Sequence, residues 1–231
     1  FKTNNNLADE AYELSVSEDG ITICALDDKG WFYAVQSLMQ YCSSSSYFSK
    51  YEKLINLKEV TIKDAPRFKW RAFMLDEARY FKGMQQVKIL LDEMAFLKMN
   101  VFHWHLVDDQ GWRIEIKKYP KLTEVGSKRK STQVGALMWE SPIQSAEPHE
   151  GFYTQEQIKE LIQYAKERHI TIVPEIEMPG HSSAAIASYS WLGTSQKEIE
   201  VPIKFGVGKD VYDVTNPRVS KFLTDVLDEV M

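Results

Sequence analysis

Apolar and polar positions repeat along this chain with two different periods, and the change comes near residue 65. Before it, Tyr12-Glu13-Leu14-Ser15-Val16 and Ile21-Thr22-Ile23-Cys24-Ala25 alternate with period two on either side of Asp19-Gly20. That pattern predicts a β-hairpin. Phe32, Val35, Leu38 and Met39 recur at helical spacing and predict a helix from about Trp31 to Tyr41 with those four on its apolar side. Ser43 to Ser46 reads as a flexible surface loop and Leu57 to Ile62 as a further strand. Residues 1–64 are therefore expected to form a small α+β domain of hairpins plus a helix.

Asp64-Ala65-Pro66 marks a boundary, because the residue before a proline is pushed out of the helical region. Beyond it, strands alternate with helices. Trp70 to Asp76 reads as a strand, Met84 to Met99 as a helix, and Asn100 to Val107 as an aromatic-rich buried strand. After a long loop, Thr154 opens a helix to about Arg168, with Gln157 placed to complete a capping box. A strand from Ile170 to Glu177 follows. Thr215-Asn216-Pro217 then opens a last helix whose apolar side is Phe222, Val226, Leu227 and Val230. This alternation implies βαβ units, a parallel sheet and right-handed crossovers over residues 65–231. There is no internal repeat.

With 44% hydrophobic residues in 231, the chain is long enough to bury a sizeable core. Its net charge of −5, without a basic cluster, argues against a nucleic-acid partner. No run of about 18 apolar residues is present, so no membrane span is expected. No signal peptide is visible, and a chain that opens on Phe1 is expected to be processed or trimmed. Cys24 and Cys42 have no metal-binding spacing, and Cys24 sits in an apolar run as a reduced core residue would.

Each of the three strands expected to run parallel ends in ionisable residues, and that end of a parallel sheet is where ligands bind. The first supplies Asp76, Glu77 and Arg79, the second Asp108 and Asp109, and the third Glu175, Glu177 and, after Pro179-Gly180, His181. An Asp at one strand end can hold the imidazole of His181 in one tautomer while the other ring nitrogen orients a third group. Arg79 offers a planar fork suited to adjacent sugar hydroxyls or a carboxylate, or to a structural salt bridge. Asp76 and Glu77, as neighbours on a strand, point to opposite faces and are not expected to share a substrate. His103 and His105 face one side and read as packed, hydrogen-bonded histidines, or as metal ligands together with His181. Asp228-Glu229 reads as a solvated helix face.

The ordered set of segments resembles glycoside hydrolase family 20, the β-N-acetylhexosaminidases. The resemblance is carried by Arg67-Phe68-Lys69-Trp70-Arg71 and Leu75-Asp76-Glu77-Ala78-Arg79-Tyr80-Phe81 for the first barrel strand. For the second it is carried by Asn100 to Trp104, by His105-Leu106-Val107-Asp108-Asp109-Gln110-Gly111-Trp112-Arg113 and by Tyr119-Pro120-Lys121-Leu122. Gly151-Phe152-Tyr153-Thr154 and Pro174-Glu175-Ile176-Glu177-Met178-Pro179-Gly180-His181 match the third. Residues 10–41 resemble the small domain that precedes the barrel.

The resemblance implies an α/β fold in which a small α+β domain precedes the first three βα units of a TIM (β/α)8 barrel, the barrel being incomplete in this chain. It implies a glycosidase that needs no cofactor and acts on glycans ending in β-linked N-acetylhexosamine. The implied mechanism is retaining and substrate-assisted, outside the usual two-carboxylate scheme. Arg79 would bind the 3- and 4-hydroxyls of the terminal sugar. Asp108, on family pattern rather than Asp109, would pair with His181 and support a general-acid Glu. That Glu and its Asp partner lie in a His-x-Gly-Gly-Asp-Glu segment that these residues do not include. Only three of eight strands are present, so the chain alone is expected to be inactive and to self-associate through an open sheet edge. Glu175 and Glu177 are the first residues to mutate should it prove active. A secreted, periplasmic or lysosome-like compartment is suggested by the resemblance alone. The competing readings are a non-catalytic carbohydrate-binding or interaction module and a metal-dependent barrel hydrolase built on His103, His105 and His181.

Overall fold

The computed structural model describes residues 1–45, 57–135 and 141–231. The chain divides into two compact units. One comprises Phe1–Phe73, Ile89–Val101 and Ala165–Thr171, the other Met74–Lys88, Phe102–Tyr164 and Ile172–Met231.

In the first unit, β1 (Lys2–Thr3), β2 (Tyr12–Ser17), β3 (Gly20–Ala25), helix α1 (Asp28–Ser45) and β4 (Val60–Asp64) follow in order. The strands form one sheet in the order β1-β3-β2-β4. The expected hairpin forms, with Leu14 opposite both Ile23 and Ile62. Period-two alternation turns Tyr12, Leu14 and Val16 inward. They meet Ile23, Ala25, Tyr33 and Ala34, with Phe32, Val35 and Leu38 packed around them. Burying one such aliphatic side chain stabilises by about 1.5–3 kcal/mol. Asp27 accepts from the Gly30 N–H at 2.8 Å and caps α1.

Two expectations fail on this helix. Met39 is 49% exposed, because the apolar stripe follows Ala34, Val35 and Leu38 and the next residue turns away by about 100°. The serine run is not a loop: α1 continues to Ser45, and the Ser43 hydroxyl donates to the Met39 carbonyl one turn back at 2.8 Å. Ser46 lies outside the described residues.

The remaining elements are β5 (Ala72–Asp76), α2 (Met84–Phe96), β6 (Val101–His105), β7 (Val107–Asp108), β8 (Gly111–Trp112), α3 (Lys121–Glu124), β9 (Lys128–Arg129) and β10 (His149–Glu150). They are followed by α4 (Gln155–Lys166), β11 (Thr171–Glu175), α5 (Ser183–Ser188) and α6 (Pro217–Val230). Three strands form a sheet in the order β11-β6-β5. Asn100 N–H bonds the Arg71 carbonyl at one end and Glu77 N–H bonds the His105 carbonyl at the other, so β5 and β6 run parallel. The central strand β6 is buried on both faces save for His103, as a middle strand of a parallel sheet should be. On β5, Phe73 and Met74 are 43% and 50% exposed. The alternation of strands and helices around an open sheet is that of an incomplete (β/α)8 barrel.

The predicted capping box is present. Gln157 N–H donates to the Thr154 hydroxyl at 3.2 Å, and Thr154 N–H donates to the Gln157 side chain at 2.9 Å. Strand ends come earlier than expected: β6 stops at His105, and Val107-Asp108 folds back on Gly111-Trp112 as a tight antiparallel turn. In α6, Val219, Phe222, Asp225 and Val226 are buried while Leu227 and Val230 are half-buried. Asp225 takes an inward place because Lys118, Tyr119 and Lys221 all reach its carboxylate. Asp228 is exposed as expected, but Glu229 is half-buried and engaged: it accepts from Lys117 N–H at 2.7 Å, Lys118 N–H at 3.0 Å and the Gln155 amide at 2.8 Å.

Candidate active site

The C-terminal end of β5 turns sharply. Asp76 accepts the backbone N–H of Arg79 at 3.0 Å, and this local turn brings the guanidinium back over the strand end. The guanidinium then donates to Asp76 Oδ2 at 2.9 Å through NH1 and to Gln110 Oε1 at 3.1 Å through Nε. Its NH2 lies 2.7 Å from Asp108 Oδ2. Two of its five donors are hydrogen-bonded, and NH2 is ion-paired with Asp108. About a quarter of the side chain stays accessible, at 26%. Arg79 is thus ion-paired, as a structural salt bridge would be, and still presents an open edge.

Asp108 is fully buried, and its two oxygens face different partners. Oδ1 accepts the Asp109 N–H at 2.6 Å and lies 3.1 Å from His181 Nδ1. Oδ2 lies 2.7 Å from Arg79 and 3.1 Å from His105 Nε2. Burial pushes this carboxyl up, but His105, the Asp109 N–H, Arg79 and His181 together hold it below the usual carboxylate range. The strand ends therefore bring Arg79, Asp108 and His181 together around one carboxylate. His181 has φ +50°, a left-handed conformation that histidine tolerates better than most residues and that swings its ring back toward Asp108.

Asp109 lies 3.3 Å from His181 Nδ1, slightly farther than Asp108. It is otherwise occupied. It accepts from Ser183 N–H at 3.0 Å, Ser183 Oγ at 2.5 Å and Gly208 N–H at 3.0 Å. A Cβ at position 208 would sit 2.5 Å from the Ser183 hydroxyl and 2.8 Å from Asp109, so only glycine permits this approach. The single hydrogen bond to His181 falls to Asp108.

Asp76 and Glu77 part as expected of strand neighbours. Glu77 is wholly buried, taking the Trp104 indole N–H at 2.6 Å, the Tyr153 hydroxyl at 2.7 and 2.8 Å, and the Lys82 and Gly83 N–H groups at 2.7 and 3.2 Å. Burial raises its carboxyl against these donors. It braces the turn from which Arg79 projects.

Sequence reasoning missed the residues behind the site. Arg113 is buried and donates only to carbonyls, those of Glu77, Ala78, Ser127 and Gly151. Burial pulls its guanidinium down to about 9. Arg129 donates to the carbonyls of Gln110 at 3.0 Å and Arg79 at 2.6 Å. Gln110 itself fixes Arg79. A buried arginine without an acid neighbour in sequence leaves no local signal.

The histidines of β6 and His181 do not form one set of ligands: His105 meets His181 only across Asp108. His103 is paired with Glu175 at 2.5 Å. His105 is buried between Asp108 and Glu175. Donor atoms of His105, Glu175 and Glu177 gather within 4.8 Å, as do those of Asp108, Asp109 and His181, and His103 joins neither set among the described residues. Both are pairings of imidazole with carboxylate. Burial and the neighbouring Glu175 raise the carboxyl of Glu177.

Two family models match the chain: glycosyl hydrolase family 20, catalytic domain, over residues 68–231, and domain 2 of the same family over residues 1–65. The chain is 43% identical over 225 residues to a β-hexosaminidase of Porphyromonas gingivalis, covering 97% of this chain and 27% of that protein. It is 40% identical over 231 residues to a β-hexosaminidase of Vibrio furnissii, covering 100% and 36%. Among solved structures, a GH20 exo-β-N-acetylglucosaminidase from Vibrio harveyi in complex with N-acetylglucosamine superposes with a TM-score of 0.82 at 37% identity, over 100% of this chain and 35% of that one. The chain thus spans about a quarter to a third of the length of these curated relatives, 27% and 36%. No helix among the described residues is long and apolar enough to cross a membrane.

Proposed function

The chain belongs to glycosyl hydrolase family 20, and on that premise we propose that it is part of an exo-acting β-N-acetylhexosaminidase that removes terminal β-linked N-acetylhexosamine from glycans. Arg79 binds the 3- and 4-hydroxyls of the terminal sugar through N–H donors that Asp76 and Gln110 leave free. The acetamido oxygen of the substrate attacks its own anomeric carbon. The glycosidic C–O bond breaks as a general-acid Glu protonates the leaving oxygen. Water then opens the oxazolinium ion, and the anomeric configuration is retained. Asp108 fixes His181, whose other ring nitrogen orients the acid. The acid and the Asp that steers the acetamido group come from outside these 231 residues. A division into a small domain, residues 1–64, and a barrel portion, residues 65–231, belongs to the same proposal.

The observation that carries this reading is the sharing of buried Asp108 between Arg79 and His181. One carboxylate links the group that would seat the sugar to the group that would support the acid. The test is hydrolysis of a chromogenic N-acetyl-β-glucosaminide by the full-length protein and by residues 1–231. Turnover by the former and none by the latter is expected, because removing acid and acetamide-orienting groups removes most transition-state stabilisation. Equal turnover by both would mean that the acid lies within this chain, with Glu175 and Glu177 the candidates.

A further inference from the structure

His105 has no part in the mechanism above, yet it is the buried group against which Asp108 rests. Its ring is 5% exposed. Nε2 lies 3.0 Å from the Val107 carbonyl, 3.1 Å from Asp108 Oδ2 and 3.8 Å from Glu177 Oε1. All three are acceptors, so Nε2 carries a hydrogen. Nδ1 faces Glu175 Oε1 at 3.8 Å, again an acceptor. Nε2 is hydrogen-bonded to a carbonyl, and the ring lies within ion-pair distance of three carboxylates, Asp108, Glu175 and Glu177, a setting that favours the imidazolium.

We infer that His105 is a positioning residue of this site, an imidazolium that holds Oδ2 of Asp108 and leaves Oδ1 to His181. This rests on the reading that Asp108 and His181 support the general acid. The charges around the ring agree with it. Asp76 comes from β5, Asp108 from the turn after β6, and Glu175 and Glu177 from β11 and its extension; Arg79 is the opposing cation. His103 on the same strand is taken up by the other oxygen of Glu175. Burial pulls His105 down, but the Asp108 carboxylate beside Nε2 and the charges of Asp76 and Glu175 outweigh it and leave the ring above its ordinary value.

The consequence concerns His181. With Arg79 and His105 both beside Oδ2, the carboxylate is fixed in one orientation and presents Oδ1 to His181. Without the His105 charge, Asp108 would face one cation fewer and its orientation toward His181 would loosen.

Nitrogen-15 NMR on the 231-residue chain tests the charge without reference to catalysis. Both His105 ring nitrogens are expected to show N–H signals of an imidazolium at pH 7. A neutral ring with one bare nitrogen there overturns the inference. The second arm uses His105→Gln and His105→Leu in the full-length enzyme. Gln keeps a donor near the place of Nε2 and loses the charge; Leu loses both. For His105→Gln a fall in kcat/KM of about 10-fold is expected, with the pH profile of kcat/KM moved, because a charge is lost while a donor is kept. His105→Leu should fall further, by about 100-fold. Equal losses in both variants with an unmoved profile would mean a packing role and would overturn the inference. A wild-type enzyme that shows no glycosidase activity, while His105 is doubly protonated, would sink the functional reading and leave the charge assignment standing.

Discussion

Asp108→Asn removes one charge from the centre of the site and changes its shape hardly at all. Three groups lose an anionic partner: Arg79 NH2 at 2.7 Å, and His105 Nε2 and His181 Nδ1 at 3.1 Å each. The amide must also turn its own N–H toward one of these donors, since the residue is fully buried. Breaking a buried ion pair from one side typically costs about 3–5 kcal/mol. The lower end applies here, because Arg79 retains Asp76 and His105 retains Glu175 and Glu177. A loss of about 3 kcal/mol at pH 7 is therefore expected from urea unfolding of the 231-residue chain followed by tryptophan fluorescence. The pH dependence sharpens the test. The folded Asp108 carboxyl is depressed, so its contribution is fully present above its unfolded value near 3.9 and is lost as pH falls toward the lower folded value. As far as Asp108 is concerned, the gap between wild type and variant should hold from pH 7 to about 5 and close below about 4. A gap under about 1 kcal/mol at pH 7, or one that persists unchanged to pH 3, would refute the reasoning.

Arg79→Lys replaces a fork by a point charge and should lower kcat/KM of the full-length enzyme by about 10–100-fold, mostly through KM; an unchanged KM would remove Arg79 from sugar binding. Ser183→Ala takes the three hydrogen bonds from Ser183 and Gly208 to Asp109 down to two and should cost about 1.5–3 kcal/mol in urea unfolding, its hydroxyl being a 2.5 Å donor to a buried carboxylate. An unaffected midpoint would show that the Gly208 and Ser183 N–H groups suffice. The 231-residue chain should self-associate through the edge carrying exposed Phe73 and Met74, and Phe73→Lys with Met74→Lys should reduce this in light scattering; a monodisperse wild-type monomer would refute it.

The elements were legible where a strong period met clear punctuation. The hairpin around Asp19-Gly20 and the Thr154 capping box are local physics, and both are found as read. What failed was decided by distant partners. Ser43 continues a helix because its hydroxyl finds a carbonyl one turn back, which composition alone does not reveal. Asp225 and Glu229 are engaged because Lys118, Tyr119 and Gln155 arrive from more than 70 residues away. At the site, Arg79, Asp108 and His181 were readable as strand-end charges that converge in a parallel sheet. Arg113 and Arg129 were not, since Arg113 donates to backbone carbonyls and Arg129 to two carbonyls and the Thr132 hydroxyl, and a carbonyl carries no sequence signature.

Asp108 and Asp109 show how much of the site is decided by direction rather than residue type. They are adjacent and alike in chemistry, and both are buried. Asp108 closes the tight turn opposite Gly111 and points toward three cationic or imidazole groups. A Cβ at Gly111 would fall 2.2 Å from the Arg113 guanidinium and 2.6 Å from the Ala78 carbonyl, so the turn can close this tightly only with glycine. Asp109, one residue on, lies 3.3 Å from the same His181 Nδ1 but spends its oxygens on the Ser183 N–H and hydroxyl and on the Gly208 N–H. The first residue takes the hydrogen bond of His181; the second sets where His181 stands, because Ser183 is two residues along the same chain. Exchanging the two functions would require the turn to reverse, which would also carry Gln110 away from Arg79. The sugar-seating arginine and the histidine are therefore held in register by one four-residue turn, and a substitution there should disturb both together rather than either alone.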